Sequence, residues 1–259
     1  MNTNISILSL NIGNPSLERA LKQVEWFNHR TEDIFVLTET KNSIGCNYLA
    51  DYFSGMTLSF FQKANTESQV IFPHSATGDL GTMIISKIPV DKKSSLFENQ
   101  SIYYSREITA TLSLNNSDLV LTGIYVPSRD RSEPKVIRKK NFIDQFVSST
   151  RMVQSDVIIG DFNILEPDHY PHYSTFFSWE YEFYDELIKK GFIDAFRKIH
   201  PSSHTYSWVG RTNNGYRYDH CFVSKRYASK ILSCEYIHEP RELGLTDHSA
   251  ISLSLSIGV

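Results

Sequence analysis

Apolar and polar residues alternate in short runs along much of this chain, and longer periods appear only between those runs. Runs rich in β-branched residues fall at Ile5–Asn11, Ile34–Glu39, Thr82–Ser86, Glu107–Leu114, Leu119–Val126, Val157–Gly160, Tyr218–Ser224, Ile231–Tyr236 and Ala250–Ile257. Each predicts a strand. Three stretches carry helical spacing instead. The first takes Asn14 as N-cap and Pro15 at N1, and sets Leu17, Leu21, Val24 and Phe27 on one stripe. The second follows Pro134 and turns Phe142, Ile143, Phe146, Val147 and Val153 inward. The third runs from about Trp179 through Leu187 and Ile188, carries Lys189 and Lys190 in its last turn and stops at Gly191. Many strands with few helices, some strands at hairpin spacing, predict an α+β chain with mixed sheets. Two sheets packed face to face with helices outside would bury every stripe. No repeat, low-complexity segment or Gly/Ser linker divides the chain, so one continuous domain over 1–259 is expected.

Composition narrows the class. With 41% hydrophobic and 21% charged residues among 259, disorder, collagen and coiled coil are excluded. No apolar run approaches the ~20 residues of a membrane span. The opening MNTNISILSLN has no basic n-region and alternates like a strand, so no signal peptide is expected and a cytoplasmic, monomeric protein is. Cys46, Cys221 and Cys234 are odd in number and lack CxxC spacing, which encodes neither a disulfide framework nor a zinc knuckle; buried thiols are expected. The net charge of −3 does not by itself suggest a nucleic-acid binder. Its distribution does more, because residues 129–140 hold six basic and two acidic residues, a local +4 that leaves −7 for the rest.

The chemistry-bearing residues sit where strands begin and end. Asn11 ends the first run, Glu39 the second, and Tyr125 lies at the end of LVLTGIYV. Asp161 and Asn163 follow VIIG, and strand period places them on one face with Phe162 on the other. Asp219 opens YDHCFVS, and Asp247 and His248 precede the last strand. Carboxylates gathered at one sheet edge repel one another and are costly to bury without a cation. Oxygen ligands with an amide among them suit Mg²⁺ or Mn²⁺.

These residues lie in a series of motifs: Leu10-Asn11, Leu37-Thr38-Glu39-Thr40-Lys41, Gly123-Ile124-Tyr125-Val126-Pro127, Gly160-Asp161-Phe162-Asn163, Tyr206-Ser207-Trp208, Arg217-Tyr218-Asp219 and Thr246-Asp247-His248. In this order they resemble the endonuclease/exonuclease/phosphatase superfamily, and within it the branch of exonuclease III and the apurinic/apyrimidinic endonucleases. Gly191-Phe192-Ile193-Asp194-Ala195-Phe196-Arg197 resembles that branch too. The resemblance implies a four-layer α/β/β/α sandwich with a metal site at one sheet edge, and hydrolysis of a phosphodiester, most naturally in DNA. Leu10 stands where the family usually has Trp, Ile12-Gly13 replaces its Asn-Gly, and the segment after Asn163 is short; these departures bear on substrate, not on the hydrolytic core.

Carried over position by position, the resemblance implies that Glu39, with Asn11 and Asp247, holds Mg²⁺ or Mn²⁺. Asp161 would activate the attacking water, Asn163 orient Asp161 or the phosphate, Asp219 hold the His248 ring, His248 contact a phosphate oxygen, and Tyr125 donate to the phosphate or leaving group. Arg129 and Arg131 would form a cationic lip for a polyanion, with Lys139 and Lys140 on a solvated helix face. Trp208, near Tyr206, fits a stacking residue or a core one. Arg217 fits a structural ion pair or a phosphate contact. His220 is expected in the core, and His169 and His172 in a surface loop. Two other functions compete: hydrolysis of a small phosphoester such as an inositol phosphate or lipid head group, and a catalytically silent binding module.

Overall fold

The computed structural model describes residues 4–56, 68–75, 77–114 and 117–257. In chain order the elements are β1 (Asn4–Asn11), α1 (Leu17–Asn28), β2 (Ile34–Thr40), α2 (Ile44–Phe53), β3 (Gln69–Ile71), β4 (Gly81–Ser86), β5 (Val90–Ser94), β6 (Glu107–Leu114), β7 (Ser117–Tyr125), α3 (Glu133–Ser148), β8 (Val157–Asp161), α4 (Ser178–Lys189), β9 (Phe192–Asp194), α5 (Ala195–Ile199), β10 (Trp208–Val209), β11 (Gly215–Tyr216), β12 (Asp219–Ser224), β13 (Ile231–Ile237), α6 (Glu239–Glu242) and β14 (Ala250–Ser256). They form two six-stranded sheets, β13-β14-β1-β2-β4-β3 and β5-β6-β7-β8-β12-β9, and a small β10-β11 ribbon. Each large sheet is mixed, with β1–β2 parallel in one and β7–β8 parallel in the other. The expected sandwich is what the chain builds.

Strand alternation sorts the apolar residues into three layers. Ile5, Ile7, Ile34 and Val36 meet Leu121, Val157, Ile159, Cys221 and Val223 between the sheets. Their neighbours Leu8, Leu10, Phe35 and Leu37 face outward under Val24 and Phe27 of α1 and Leu49 and Phe53 of α2. On the other sheet Ile158, Phe162 and Phe222 face Phe142 and Phe146 of α3 and Phe183 and Leu187 of α4. The same period continued to the strand ends puts Asn11, Tyr125, Asp161 and Asp219 on the inter-sheet faces, where apolar residues give way to polar ones. Register completes the gathering. Tyr125 pairs with Asp161 across the parallel β7–β8 ladder, and Asp161 pairs with Asp219 across the antiparallel β8–β12 ladder.

The helices start and turn differently from their sequence patterns. Ser16, not Asn14, caps α1, accepting from the Arg19 amide, while Asn14 takes a left-handed φ of 41°. Leu17 and Leu21 are exposed, and the inward face is carried by Ala20, Gln23, Val24, Trp26 and Phe27. Val153 lies beyond the end of α3 and is exposed, and Ile188 is also exposed. The helix α2 and the short strands β3, β5, β9, β10 and β11 went unread in the sequence. All three cysteines are buried thiols. Among the described residues no helix is long and apolar enough to cross a membrane.

Candidate active site

Two backbone features set up the site. Gly160 sits at φ 153°, and a Cβ there would lie 1.9 Å from the Ile124 carbonyl oxygen, so only glycine lets β8 run this close to β7 and present Asp161. Glu39 takes a left-handed φ of 55° where the β2–β4 register slips between Thr38 and Thr40. This bulge turns the Glu39 carboxylate toward the Tyr125 phenol, which donates to it at 3.0 Å.

The centre is a buried group of Asp161, Asp219 and His248 whose potential ligand atoms all lie within 4.8 Å of one another. Asp219 Oδ2 lies 2.8 Å from His248 Nδ1. Asn11 Nδ2 donates to Asp161 Oδ2 at 2.9 Å and lies 3.4 Å from His248 Nε2. The Asn163 amide donates to Asp161 Oδ1 at 2.9 Å. Burial and the Asp219 carboxylate, with Glu39 adding to them against His248, push the Asp161 carboxyl up to about 8. Burial opposes the imidazolium of His248, yet Asp219 first and Asp161 next carry its pKa up to about 10, so the ring is a cation at neutral pH. Burial, then the Glu39 carboxylate, drive the Tyr125 phenol well above its ordinary value and keep it a donor. The Arg106 guanidinium, itself buried, lies over the Tyr125 ring 4.9 Å from its centroid.

Around this centre opens a cavity of about 480 Å³ whose lining includes Glu39, Arg129, Arg131, Asn163, Trp208, Asp247 and His248. The Trp208 indole donates to Asp247 Oδ2 at 2.8 Å. Asn163 departs from strand period: β8 ends at Asp161, Asn163 has φ 50°, and its side chain donates to the Val126 carbonyl at 3.0 Å. Its backbone amide, not its side chain, therefore orients Asp161.

Three readings of the sequence need correction. Arg217 is no substrate contact. It is wholly buried and bound by Glu166 and Asp194, with Nη2 2.5 Å and 2.7 Å from their carboxylate oxygens. Lys139 is not solvated either, for its ammonium is buried and donates to Glu180 and to the Asn163 carbonyl, each at 2.5 Å. Helical spacing could have shown this, since Lys139, Phe142 and Phe146 share one face of α3. His169 is buried, with Nδ1 2.9 Å from the Pro171 carbonyl oxygen and Nε2 accepting from the Arg217 amide, while His172 is exposed as expected. His220 lies in the core against Phe162 and Phe222. Lys140 is exposed and pairs with Asp144.

The cationic lip is divided. Arg129 binds Glu180 and the Thr175 carbonyl and stacks over Phe177, 4.4 Å from its centroid. Two cations, Arg129 and Lys139, thus share one carboxylate and leave a net +1 beside the site. Despite its burial, Glu180 is held below the usual carboxylate range by Lys139 and Arg129. Arg131 is exposed and unpaired among the described residues. Arg131→Ala should therefore lower the slope of log K for duplex DNA against log salt by about 0.9, the share of one phosphate contact. Anisotropy titrations over a salt series measure this, and an unchanged slope removes Arg131 from the lip.

Solved structures of similar fold cover almost the whole chain. A Neisseria 3′ phosphatase (NExo) bound to a product DNA hairpin superposes with a TM-score of 0.78 at 21% identity, over 97% of this chain and 99% of that one. An AP endonuclease from Archaeoglobus fulgidus gives 0.77 at 21% identity, over 98% and 99%. The AP endonuclease LMAP from Leishmania major gives 0.76 at 18% identity, over 98% and 88%. The chain shares its fold with these structures. Among curated proteins the chain is 30% identical over 200 residues to recombination repair protein 1 of Drosophila melanogaster, a match taking in 70% of this chain. The chain spans about 28% of that relative's length. No family model matches the chain. The resemblance read from the ordered motifs thus holds at the level of the fold.

Proposed function

We propose that the chain is a divalent-metal-dependent phosphodiester hydrolase acting on DNA, of the repair-nuclease kind. The observation carrying this reading is the Asp161–Asp219–His248 group, joined by Asn11 and set beside a cavity whose lining includes Arg129, Arg131 and Lys139. In-line attack on a phosphodiester needs a base for water, a cation for the phosphate oxygens and rigid positioning. Asp161, fixed from two sides by the Asn163 amide and Asn11 Nδ2, is the base. His248, steadied through Nδ1 by Asp219, presents a charged Nε2 edge to a non-bridging oxygen. Tyr125 holds Glu39 in place, and a phosphate arriving beside Glu39 meets the same phenol.

The donor set fits a hard cation. The carboxylates of Glu39 and Asp247 line the cavity with His248, the Asn11 amide joins Asp161 to that histidine, and Asp219 Oδ1 is buried without a partner. Glu39, Asn11 and Asp247 would hold Mg²⁺ or Mn²⁺. That ion would neutralise phosphate oxygens and the charge developing on the leaving oxygen. A positive charge held there would offset the neighbouring carboxylates and favour the ionised form of Asp161 that a base needs.

The test is a panel of a recessed 3′ end, an abasic duplex, single-stranded DNA, inositol phosphate and sphingomyelin, each with Mg²⁺ and with EDTA. Hydrolysis of DNA alone, abolished by EDTA, is the expected result. Turnover confined to the small phosphoesters, or to none of the panel, would overturn the reading. Binding to the folded state alone adds about 2.7 kcal/mol at a hundredfold excess over Kd. Saturating Mg²⁺ or Mn²⁺ should thus raise Tm by roughly 5–10 °C, at ~2–4 °C per kcal/mol, and a flat thermal shift argues against the cation site.

A further inference from the structure

The turn that follows β8 orients the base, and it is gripped from behind. Asn163 takes a left-handed φ of 50°, which costs backbone energy for a residue with a side chain, so the turn relies on outside contacts. Asn163 makes three. Its amide donates to Asp161 Oδ1 at 2.9 Å, and its side-chain Nδ2 donates to the Val126 carbonyl at 3.0 Å. Its own carbonyl accepts from the Lys139 ammonium at 2.5 Å. The first contact touches the base, the second ties the turn to the end of β7, and the third reaches across to α3.

Charge balance does not explain Lys139. Its ammonium is buried and also donates to Glu180 Oε1 at 2.5 Å. Glu180 is buried too, and its Oε2 accepts from the Phe177 amide at 2.9 Å at the start of α4. The Arg129 guanidinium binds the same carboxylate and neutralises it without help. Stability does not explain Lys139 either, because a buried ion pair is often no better than apolar groups of similar volume. Phe142 and Phe146, further along the inward face of α3, are the apolar choice. What Lys139 adds is a donor, fixed by Glu180, that reaches the Asn163 carbonyl.

We propose, resting on the hydrolase reading above, that Lys139 is a positioning residue for the base: gripping the Asn163 carbonyl, it holds the Asn163 amide on Asp161 Oδ1. The route from ammonium to base is two hydrogen bonds through one residue. A misplacement of about 1 Å can cost on the order of 10²-fold in rate, so a tether at this remove carries a large effect. It also links three segments, because α3 brings Lys139, the start of α4 brings Glu180, and the turn after β8 brings Asn163.

The experiment uses Lys139→Met, with Lys139→Gln as a milder second variant; both leave Glu180 paired with Arg129. On DNA with Mg²⁺, kcat should fall about ten- to a hundred-fold with KM changed less than about two-fold. The slope of log K against log salt should match the parent, since an ammonium bound by a buried carboxylate releases no counterion. In an Asp161→Asn background Lys139→Met should cause no further loss, because the group it positions is gone, whereas a merely structural lysine would cost the same factor in both backgrounds. Hydrogen exchange followed by NMR answers without turnover or metal. The Asn163 amide should exchange about ten-fold faster or more in the variants, while the Ile158 and Ile159 amides of β8 keep their protection. In the parent, the Lys139 ammonium should give a slowly exchanging signal. Equal losses in the two backgrounds, a change confined to KM, parental exchange at Asn163 or a freely exchanging Lys139 ammonium overturns the proposal. A parent that cleaves no DNA counts against the hydrolase reading instead, and the exchange rates then decide whether Lys139 holds the turn.

Discussion

Asp161→Asn should lower kcat on DNA by about 10³-fold or more while the protein stays folded. A positioned general base contributes roughly 10²–10⁴-fold, and no other carboxylate can take over. Asp219 has given one oxygen to His248, and Glu39 receives the Tyr125 phenol. The amide keeps an oxygen for the Asn163 N–H at 2.9 Å, so the turn after β8 stays in place. It loses the acceptor that Asn11 Nδ2 now uses, which costs about 1 kcal/mol. The Asp161 carboxyl, raised to about 8, must take up a proton on folding near neutral pH and the amide need not, which offsets that cost, so Tm measured in EDTA should not fall. Single-turnover rates with excess enzyme separate the chemical step from product release. A variant retaining more than a tenth of the parental rate would mean that another group takes the proton.

The fold was largely readable because the strands keep strict alternation from one end to the other. Ile5 and Ile7 point between the sheets, Leu8 and Leu10 point outward, and the inward series ends in Asn11. The ribbon β10–β11, two residues per strand, is too short for a period to register, and β5 is mostly charged and exposed. Residues at strand ends were legible for the same reason as the strands: each sits at a polar interruption of an apolar run. What stayed hidden depends on partners far away in the chain. Lys139 and Arg129 appear as members of a basic run, and only the approach of α4, bringing Glu180, makes them a buried triad. Arg217 lies two residues before Asp219 and shares its face, which left two readings. The decisive fact is the arrival of Glu166 and Asp194 from separate segments.

That buried cluster gives the largest expected loss of stability. Arg217 is fully buried, its Nε 3.1 Å from Glu166 Oε1 and its Nη2 shared between Glu166 and Asp194. Arg217→Leu leaves both acids in the interior. Glu166 keeps Arg197, whose Nε lies 2.6 Å away, but Asp194 is left with the Tyr184 hydroxyl and the Arg197 amide, each at 3.0 Å, and His220 Nδ1 at 3.7 Å. Removing one side of a buried pair costs about 3–5 kcal/mol, a fall in Tm of roughly 6–20 °C. Acid response gives a second signature. Although burial opposes it, Arg197 and Arg217 hold the Glu166 carboxyl down at about 2, below its ordinary 4.5. A depressed carboxylate stabilises the fold above its ordinary pKa, and this contribution disappears as pH falls from 4.5 through about 2. With Arg217 gone, Glu166 takes up its proton sooner, so acid unfolding monitored by circular dichroism should move to higher pH. A phosphate-binding Arg217 would behave in the opposite way: substitution would spare Tm and the acid limb and flatten the salt dependence of DNA binding instead.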